Sequence, residues 1–407
     1  MAMARAPDEP QAGLRVAIVT DWYLPRQGGI ELHLADLARE LAVRGVAPQV
    51  ITTTPGPSRT NGLAVRRLPG SLIPGVDLAV SPALYWTLRR ALAAGSYDLV
   101  HAHISVVSPT SFAAVLAAVR LGLPVVVTFH SVLLRLVPML RALDRALGWS
   151  RWPMLVSAVS ERVAAQVRRA APELDVVVLA NGIDPAQWRA APPGGRRQSD
   201  SDLVVAATMR LHRKKRPLAL LEAFRNAREA VRAQARRLSL RIAGEGPERR
   251  KLEIFIARHD LQDSVALLGL QPRAALAALY RDADMFVLPT LREAFGLAAL
   301  EARCAGLPVI AMRAAGAADF LIHERTALLA DDDADLARQI ARLALDDELR
   351  GRLAPPDAGL SRYAWSNVVA AHLDTYRRAI ALASSASGPV GATMAHQRDD
   401  PADADPR

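Results

Sequence analysis

The feature that most limits what this 407-residue chain can fold into is one alternation that runs twice. Residues 14–20 (LRVAIVT) form a short apolar run, as expected of a strand covered on both faces of a parallel sheet. Gly28-Gly29 follows, then Ile30, Leu34, Leu37 and Leu41 recur at helical spacing until Gly45 supplies a stop. Further strands are expected at 49–53, 98–102, 124–129, 154–158 and 175–179, with helices between. Residues 189–202 (RAAPPGGRRQSDSD) are Pro, Gly and charge, a linker by composition. The pattern then restarts. Strands are expected at 203–208, 238–243, 264–268, 285–289 and 308–312. The helices between them fall at about 216–236, from 248, 273–282 and 296–305, and a last helix covers 365–382.

Alternating strands and helices imply parallel sheets covered by helices, so the expected fold class is α/β, with two Rossmann-like doubly wound domains and a cleft between them. The expected organisation is a disordered start at 1–13, a first Rossmann-like domain at 14–188, the linker at 189–202 and a second Rossmann-like domain at 203–362. A helix at 363–383 returns to the first domain, and a tail at 384–407 is polar enough to stay disordered. Such sheets bind ligands outside the carboxyl ends of their strands.

Composition removes several classes. The chain has one cysteine, Cys304, so neither a disulfide framework nor a Cys-type zinc site can form, which suits a reducing cytoplasm. Residues 1–13 carry no apolar run of a secretory signal, and no stretch of about 18 uncharged apolar residues occurs; 123–140 is interrupted by His130 and Arg135. Net charge is +10, yet only Lys214, Lys215 and Lys251 are lysines among 51 basic residues. Such arginine dominance in an alanine-rich chain reads as general compositional bias as much as a binding signal. Aromatics make up 5% and interleave with no basic segment, against nucleic acid.

The densest local pattern is 288–310, LPTLREAFGLAALEARCAGLPVI. A strand ends at Pro289, a loop carries Glu293, and Phe295-Gly296-Leu297 opens a helix whose second turn bears Glu301. Free N–H groups at such a start can bind phosphate. A loop carboxylate can accept hydrogen bonds from a sugar, and one on the helix can accept two from a ribose. Two surface glutamates around an ordinary helix would have the same spacing. In 208–217 (TMRLHRKKRP), Arg210 and Lys215 follow a strand and could converge on a diphosphate, or belong to a solvated loop. Gly244 and Gly246 also follow a strand; alone they mark a turn and a helix start. In the first domain, Gly28-Gly29 is a phosphate-approach loop or a tight turn, and His130 at a strand's carboxyl end is a ligand contact or a capping histidine.

Together these pieces resemble the family-4 glycosyltransferases, retaining enzymes of the GT-B fold. The resemblance runs from about 14 to 380. It is carried by GGIELH at 28–33, HAH at 101–103, TFHS at 128–131, VSERV at 159–163 and NGID at 181–184. The second half adds RLHRKK at 210–215, AGEGP at 243–247, and Glu293 seven residues before Glu301, followed by CAGLPVI. Two departures stand out. Ala294 replaces the second residue of the usual Glu-Gly-Phe-Gly, which matters only if that position needs positive φ. Ala315-Gly316-Ala317-Ala318-Asp319 stands where Gly-Gly-x-Pro-Glu is usual, leaving the role of Asp319 open.

The resemblance implies a transfer of a hexosyl unit from a nucleotide-diphosphate sugar to an acceptor hydroxyl with retained configuration. Arg210 and Lys215 would neutralise the leaving diphosphate. Glu293, with the backbone of Phe295 and Gly296, would hold the donor sugar and phosphates, and Glu301 the ribose. Gly29 would let the first domain close on the diphosphate, and His130 would contact the sugar near the reacting carbon. No cofactor is expected beyond the donor, and no metal: Asp331-Asp332-Asp333 falls in a late surface loop and Asp200-Ser-Asp202 in the linker. An epimerase or hydrolase on the same fold is the competing enzyme reading, and a basic membrane- or nucleic-acid-binding module the competing non-enzyme one. The acceptor is expected to be lipid-linked or phosphorylated. Residues 132–152 favour contact with the inner face of an anionic membrane: after Pro138, Leu140, Leu143 and Leu147 make an apolar stripe, Arg141, Arg145 and Arg151 lie off it, and Trp149 and Trp152 close the segment. The same leucines could instead face the domain's own core.

Overall fold

The computed structural model describes residues 13–26, 28–73, 78–133, 136–189, 202–354 and 359–386. The expected disordered start, most of the linker, most of the tail, and Arg135 lie outside these residues.

The first sheet is built from β1 (Arg15–Thr20), β2 (Ala47–Thr52), β3 (Arg59–Thr60) and β4 (Leu63–Arg67), then, after the separate hairpin β5 (Ser71–Ile73) and β6 (Leu78–Val80), β7 (Leu99–Ile104), β8 (Val125–Phe129), β9 (Met154–Ala158) and β10 (Val176–Val178). Its order is β10-β9-β8-β7-β1-β2-β4-β3, parallel except for the edge strand β3. Helices α1 (Gly29–Val43), α2 (Leu84–Ala94), α3 (Pro109–Arg120), α4 (Val137–Leu147), α5 (Glu161–Ala170) and the single turn α6 (Pro185–Trp188) connect the strands. The local signals are physical. Proline opens α3 and α6, where the lost N–H had no partner, and the Ser160 hydroxyl caps α5 by accepting from Val163 N.

The second sheet contains β11 (Asp202–Thr208), β12 (Arg237–Ala243), β13 (Val265–Gly269), β14 (Met285–Leu288), β15 (Val309–Met312) and β16 (Ala327–Ala330), in the all-parallel order β13-β12-β11-β14-β15-β16. Its helices are α7 (Pro217–Arg232), α8 (Arg249–Arg258), α9 (Arg273–Asp282), α10 (Leu297–Cys304), α11 (Asp333–Leu345) and α12 (Asp347–Leu353). The last helix, α13 (Trp365–Ala386), leaves this domain and packs on β8, β9 and α1 of the first. β1, β8, β14 and β15 are buried apart from the first residue of β1, as the unbroken apolar runs require.

Strand order reverses between β1 and β7 in the first sheet and between β11 and β14 in the second. At these points neighbouring crossovers run in opposite directions and open a crevice at the strand carboxyl ends. The two crevices meet. The Arg273 guanidinium pairs with Asp36 of α1, the Ser160 hydroxyl donates to the Ala294 carbonyl at 2.5 Å, and Asp319 Oδ2 accepts from Glu161 N at 2.6 Å.

The structure differs from the sequence expectations in three places. The acidic run at 331–333 is only partly a surface loop: Asp331 and Asp332 lie in an exposed bend, Asp332 accepts from Asp335 N as the cap of α11, and Asp333 begins that helix and pairs with Arg216. Asp202 likewise begins β11 instead of ending a linker. In α4 the leucine stripe is split: Leu140 is buried, whereas Leu143 and Leu147 are exposed. Trp149 is buried too, donating its indole N–H to the Leu140 carbonyl, so it cannot act as an interfacial anchor.

Candidate functional site

The site is assembled from loops at the two switch points. After β11 the chain passes through Arg210, which is exposed, into a turn at Arg213–Lys215. The segment is held from behind: Met209 N donates to Ala243 O, Leu211 N to Glu245 O and Glu248 N to Leu211 O. Gly244 and Gly246 make this possible. A Cβ on Gly244 would collide with the Met209 carbonyl and one on Gly246 with the Leu211 carbonyl. The two glycines thus serve as a close-packed cradle for the Arg210 loop.

The loop after β14 brings up the carboxylates. Lys215 Nζ lies 2.7 Å from Glu293 Oε2, so two residues 78 apart in sequence form one charged pair at the cleft. Gly316 N donates to the Glu293 carbonyl, fixing the loop from the 315–319 segment. Ala294 is not at positive φ, so the missing glycine of the usual motif carries no conformational cost here. Gly296 does need its glycine: it caps α10 at φ +95°, a left-handed conformation. At the start of α10, Ala299 N and Leu300 N donate to the Gly296 carbonyl, which leaves the N–H groups of Leu297 and Ala298 without an acceptor inside the helix. Phe295 is buried against Phe320 and Tyr363 and anchors the turn.

Glu301 sits one turn further along α10. Burial pushes its carboxyl up to about 8, opposed by Arg273 and the Tyr280 hydroxyl and reinforced by Asp36. The Tyr280 hydroxyl also lies 2.9 Å from Thr208 Oγ1, which ties α9 to the end of β11.

Across the cleft stands the start of α1. Gly29 faces α10: a Cβ there would come 3.8 Å from Leu297 Cδ1. Glu31 is buried over Gly28 and pairs with Arg26 at 3.1 Å. His130 follows β8, is 6% exposed, and has its backbone N–H bonded to the Ile104 carbonyl. Its ring Nε2 is 2.9 Å from His103 Nδ1. Burial, followed by the proximity of His372, lowers His130 to about 3, so the imidazole is neutral at physiological pH.

Two family models divide the chain between them: "Glycosyltransferase Family 4" over residues 27–187 and "Glycosyl transferases group 1" over residues 195–355. A D-inositol 3-phosphate glycosyltransferase of Salinispora arenicola is 30% identical over 90% of this chain and 90% of its own. The chain belongs to the family 4, group 1 glycosyltransferases. Among solved structures, sucrose-phosphate synthase of Thermosynechococcus elongatus has a TM-score of 0.71 at 22% identity, covering 90% of this chain and 99% of that one. Anabaena HepE, solved in complex with UDP and glucose, has a TM-score of 0.71 at 21% identity, covering 89% and 100%. These likenesses give the GT-B fold: two parallel-sheet α/β domains around a cleft. The protein is therefore a glycosyltransferase that uses a nucleotide-sugar donor.

In this glycosyltransferase several cleft residues had no assigned role in the sequence. Asp36 and Arg273 bridge the domains, and Ser160 and Asp319 join them at a second point. His33, His101, His103 and His372 are buried beside His130. The motifs GGIELH and HAH contain three of these histidines, and that is the only signal the sequence offered. No helix among the described residues is long and apolar enough to cross a membrane.

Proposed function

We propose that the chain is a retaining hexosyltransferase that works without a metal ion, taking a hexose from a uridine diphosphate sugar. The observation that carries this reading is the Lys215–Glu293 pair beside the α10 start, with Glu301 behind it and Gly29 opposite. As the glycosidic bond to the diphosphate breaks, the sugar carbon becomes oxocarbenium-like and negative charge grows on the departing phosphate. Lys215, Arg210 and the N–H groups at the α10 start supply positive potential for that charge, the task a metal would otherwise perform. Glu293 and the backbone at Phe295 and Gly296 hold the sugar and phosphates, Glu301 accepts from the ribose hydroxyls, and the neutral His130 contacts the sugar near the reacting carbon. Gly28, Gly29 and Leu297 form the closing surface. Gly244 and Gly246 contribute by holding the Arg210 loop. Retention is supported by family membership. The uracil base is supported by the likeness to the UDP complex of HepE.

The acceptor in this reading is a phosphorylated cyclic polyol, supported by the names of the bacterial relatives. A lipid-linked form of such an acceptor has an observation of its own. Met139, Leu143 and Leu147 are exposed on α4, with Arg141 and Arg145 also exposed, and Val106 and Val107 are exposed after the neighbouring strand β7. An apolar strip flanked by arginine suits an anionic surface, and a peripheral position at the inner face of the cell membrane follows. Thermal unfolding with a panel of UDP-, GDP- and ADP-sugars tests the donor. A UDP-hexose should raise Tm most, and the shift should vanish in Glu301→Ala. Equal shifts with all three bases would overturn the uracil assignment.

A further inference from the structure

Five histidines from three elements and one strand end are buried together beneath the cleft: His33 on α1, His101 and His103 on β7, His130 after β8 and His372 on α13. Burial lowers the pKa of each; neighbouring histidines add to this at His33, His101, His103 and His130, whereas at His372 the bond to the Val368 carbonyl opposes it, and each ring is neutral and carries one proton. Which nitrogen holds that proton follows from the partners.

The donor directions can be read along one chain of contacts. The Ser157 hydroxyl donates to the Val127 carbonyl at 3.1 Å, so toward Thr128, 2.6 Å away, it acts as acceptor. Thr128 therefore spends its proton on Ser157 and accepts from His101 Nε2 at 2.7 Å. His101 is protonated on Nε2, and its Nδ1 accepts from the Tyr376 hydroxyl at 2.9 Å. Both His101 nitrogens are used. His372 Nδ1 donates to the Val368 carbonyl at 2.7 Å.

His103 is different. Its Nδ1 meets His130 Nε2 at 2.9 Å, and its Nε2 is buried with no partner among the described residues. Two arrangements of the shared proton exist. If His130 donated, His103 would carry its proton on Nε2 as a buried N–H without an acceptor. If His103 donates, the unpartnered atom is only a lone pair. Buried orphan N–H groups are the rarer of the two in folded proteins.

We propose that His103 is a positioning residue: it donates Nδ1–H to His130 Nε2, locks that ring, and leaves His130 to present Nδ1–H to the donor sugar. His130 then acts as a hydrogen-bond donor to a sugar oxygen, with no capacity to accept a proton there. The proposal rests on the sugar-contacting role of His130 given above.

Two measurements test it separately. Long-range ¹H–¹⁵N spectra of the full chain labelled with ¹⁵N-histidine report the tautomer directly, the His130 ring being assigned by its loss in His130→Ala. Protonation on Nδ1 in both His103 and His130 is expected. A proton on His130 Nε2 would overturn the proposal, whatever His130 does in turnover. In kinetics, His103→Leu should lower kcat by about 10- to 100-fold, the scale of a misplaced reacting group, with donor KM little changed. His103→Asn, whose carboxamide N–H can replace Nδ1–H, should recover most of that loss. Wild-type kcat in His103→Leu, or an Asn variant as impaired as His130→Ala, would contradict it. Should the Leu variant fail to fold, the Asn variant and the wild-type spectra still decide. Near-normal turnover in His130→Ala would remove the functional reading of His130 while leaving the spectra to judge the tautomer.

Discussion

Lys215 Nζ and Glu293 Oε2 stand 2.7 Å apart at the cleft, so the cation proposed for the leaving diphosphate is held by the carboxylate proposed for the donor sugar. The pair is partly exposed, at 35% and 15% of the two side chains. An ion pair so placed is worth at most about 1 kcal/mol to the fold, and a donor that brings its own anion and hydroxyls can replace both partners. Lys215→Ala should therefore keep its thermal midpoint within a few degrees and lose about 10²–10³ in kcat, the scale of removing one group that stabilises developing charge. Paired melting and turnover measurements check this. Near-normal turnover would remove Lys215 from the diphosphate site.

Glu301 gives a pH-dependent signature. Burial raises its carboxyl to about 8, so at pH 7 it is mostly protonated. Ribose hydroxyls donate to the ionised form and draw the pKa down. Nucleotide binding at pH 7 should therefore release protons. Calorimetry in buffers of different ionisation enthalpy will read that release, and Glu301→Gln should abolish it.

The same shift bears on stability. The folded pKa is above the ordinary value of 4.5, so this group's contribution is fully present below pH 4.5 and is lost as pH rises through about 8. Without nucleotide, Glu301→Gln should melt higher than the wild type above pH 8, with the difference narrowing as pH falls. A variant less stable than wild type at pH 9 would contradict this account.

Ser160 carries two duties with one hydroxyl, capping α5 through Val163 N and donating to the Ala294 carbonyl in the donor loop of the other domain. Ser160→Ala should cost about 1 kcal/mol in denaturant unfolding, as lost caps do. It should also raise donor KM, because the Glu293–Gly296 loop loses its tether to the first domain. Unchanged KM would confine Ser160 to helix capping.

Much of this molecule is legible in the sequence because βαβ units mark themselves. The runs at 15–20, 125–129 and 285–288 are apolar on both faces, and Pro109, Pro185 and Pro217 open helices. The positions of Arg210 and Glu293 after strand ends, and of Glu301 on the helix that follows, could be read from the alternation, since doubly wound sheets expose their loops there. Other features are not legible, for identifiable reasons. β3 is two residues long and β4 partly exposed, so neither has a strong period. In the run 331–333 the helix start at Asp333 is hidden because capping acids and loop acids share a composition. Asp36 and Arg273 meet across 237 residues, and His101 and Tyr376 across 275, distances over which no local pattern can point. On α4, periodicity identified the helix, but its partial cover, with Leu140 buried and Leu143 exposed, depends on packing.

That exposed face makes the membrane reading testable. Co-sedimentation with anionic vesicles should rise with anionic lipid, fall with salt, and weaken in an Arg141/Arg145/Arg151 triple alanine variant. Replacing Met139, Leu143 and Leu147 by serine should weaken it as well, since all three are exposed and none serves the core. No binding at low salt would leave a freely diffusing phosphorylated polyol as the acceptor.

The most direct test of the central claim is the product itself. The protein is incubated with an α-configured UDP-hexose and an inositol phosphate in excess EDTA, and the new anomeric signal is resolved by ¹H NMR. The account predicts an acceptor-dependent α-glycoside formed at a rate unaffected by chelation. A β-glycoside, turnover restored only by added manganese or magnesium, or steady donor breakdown independent of acceptor would contradict it.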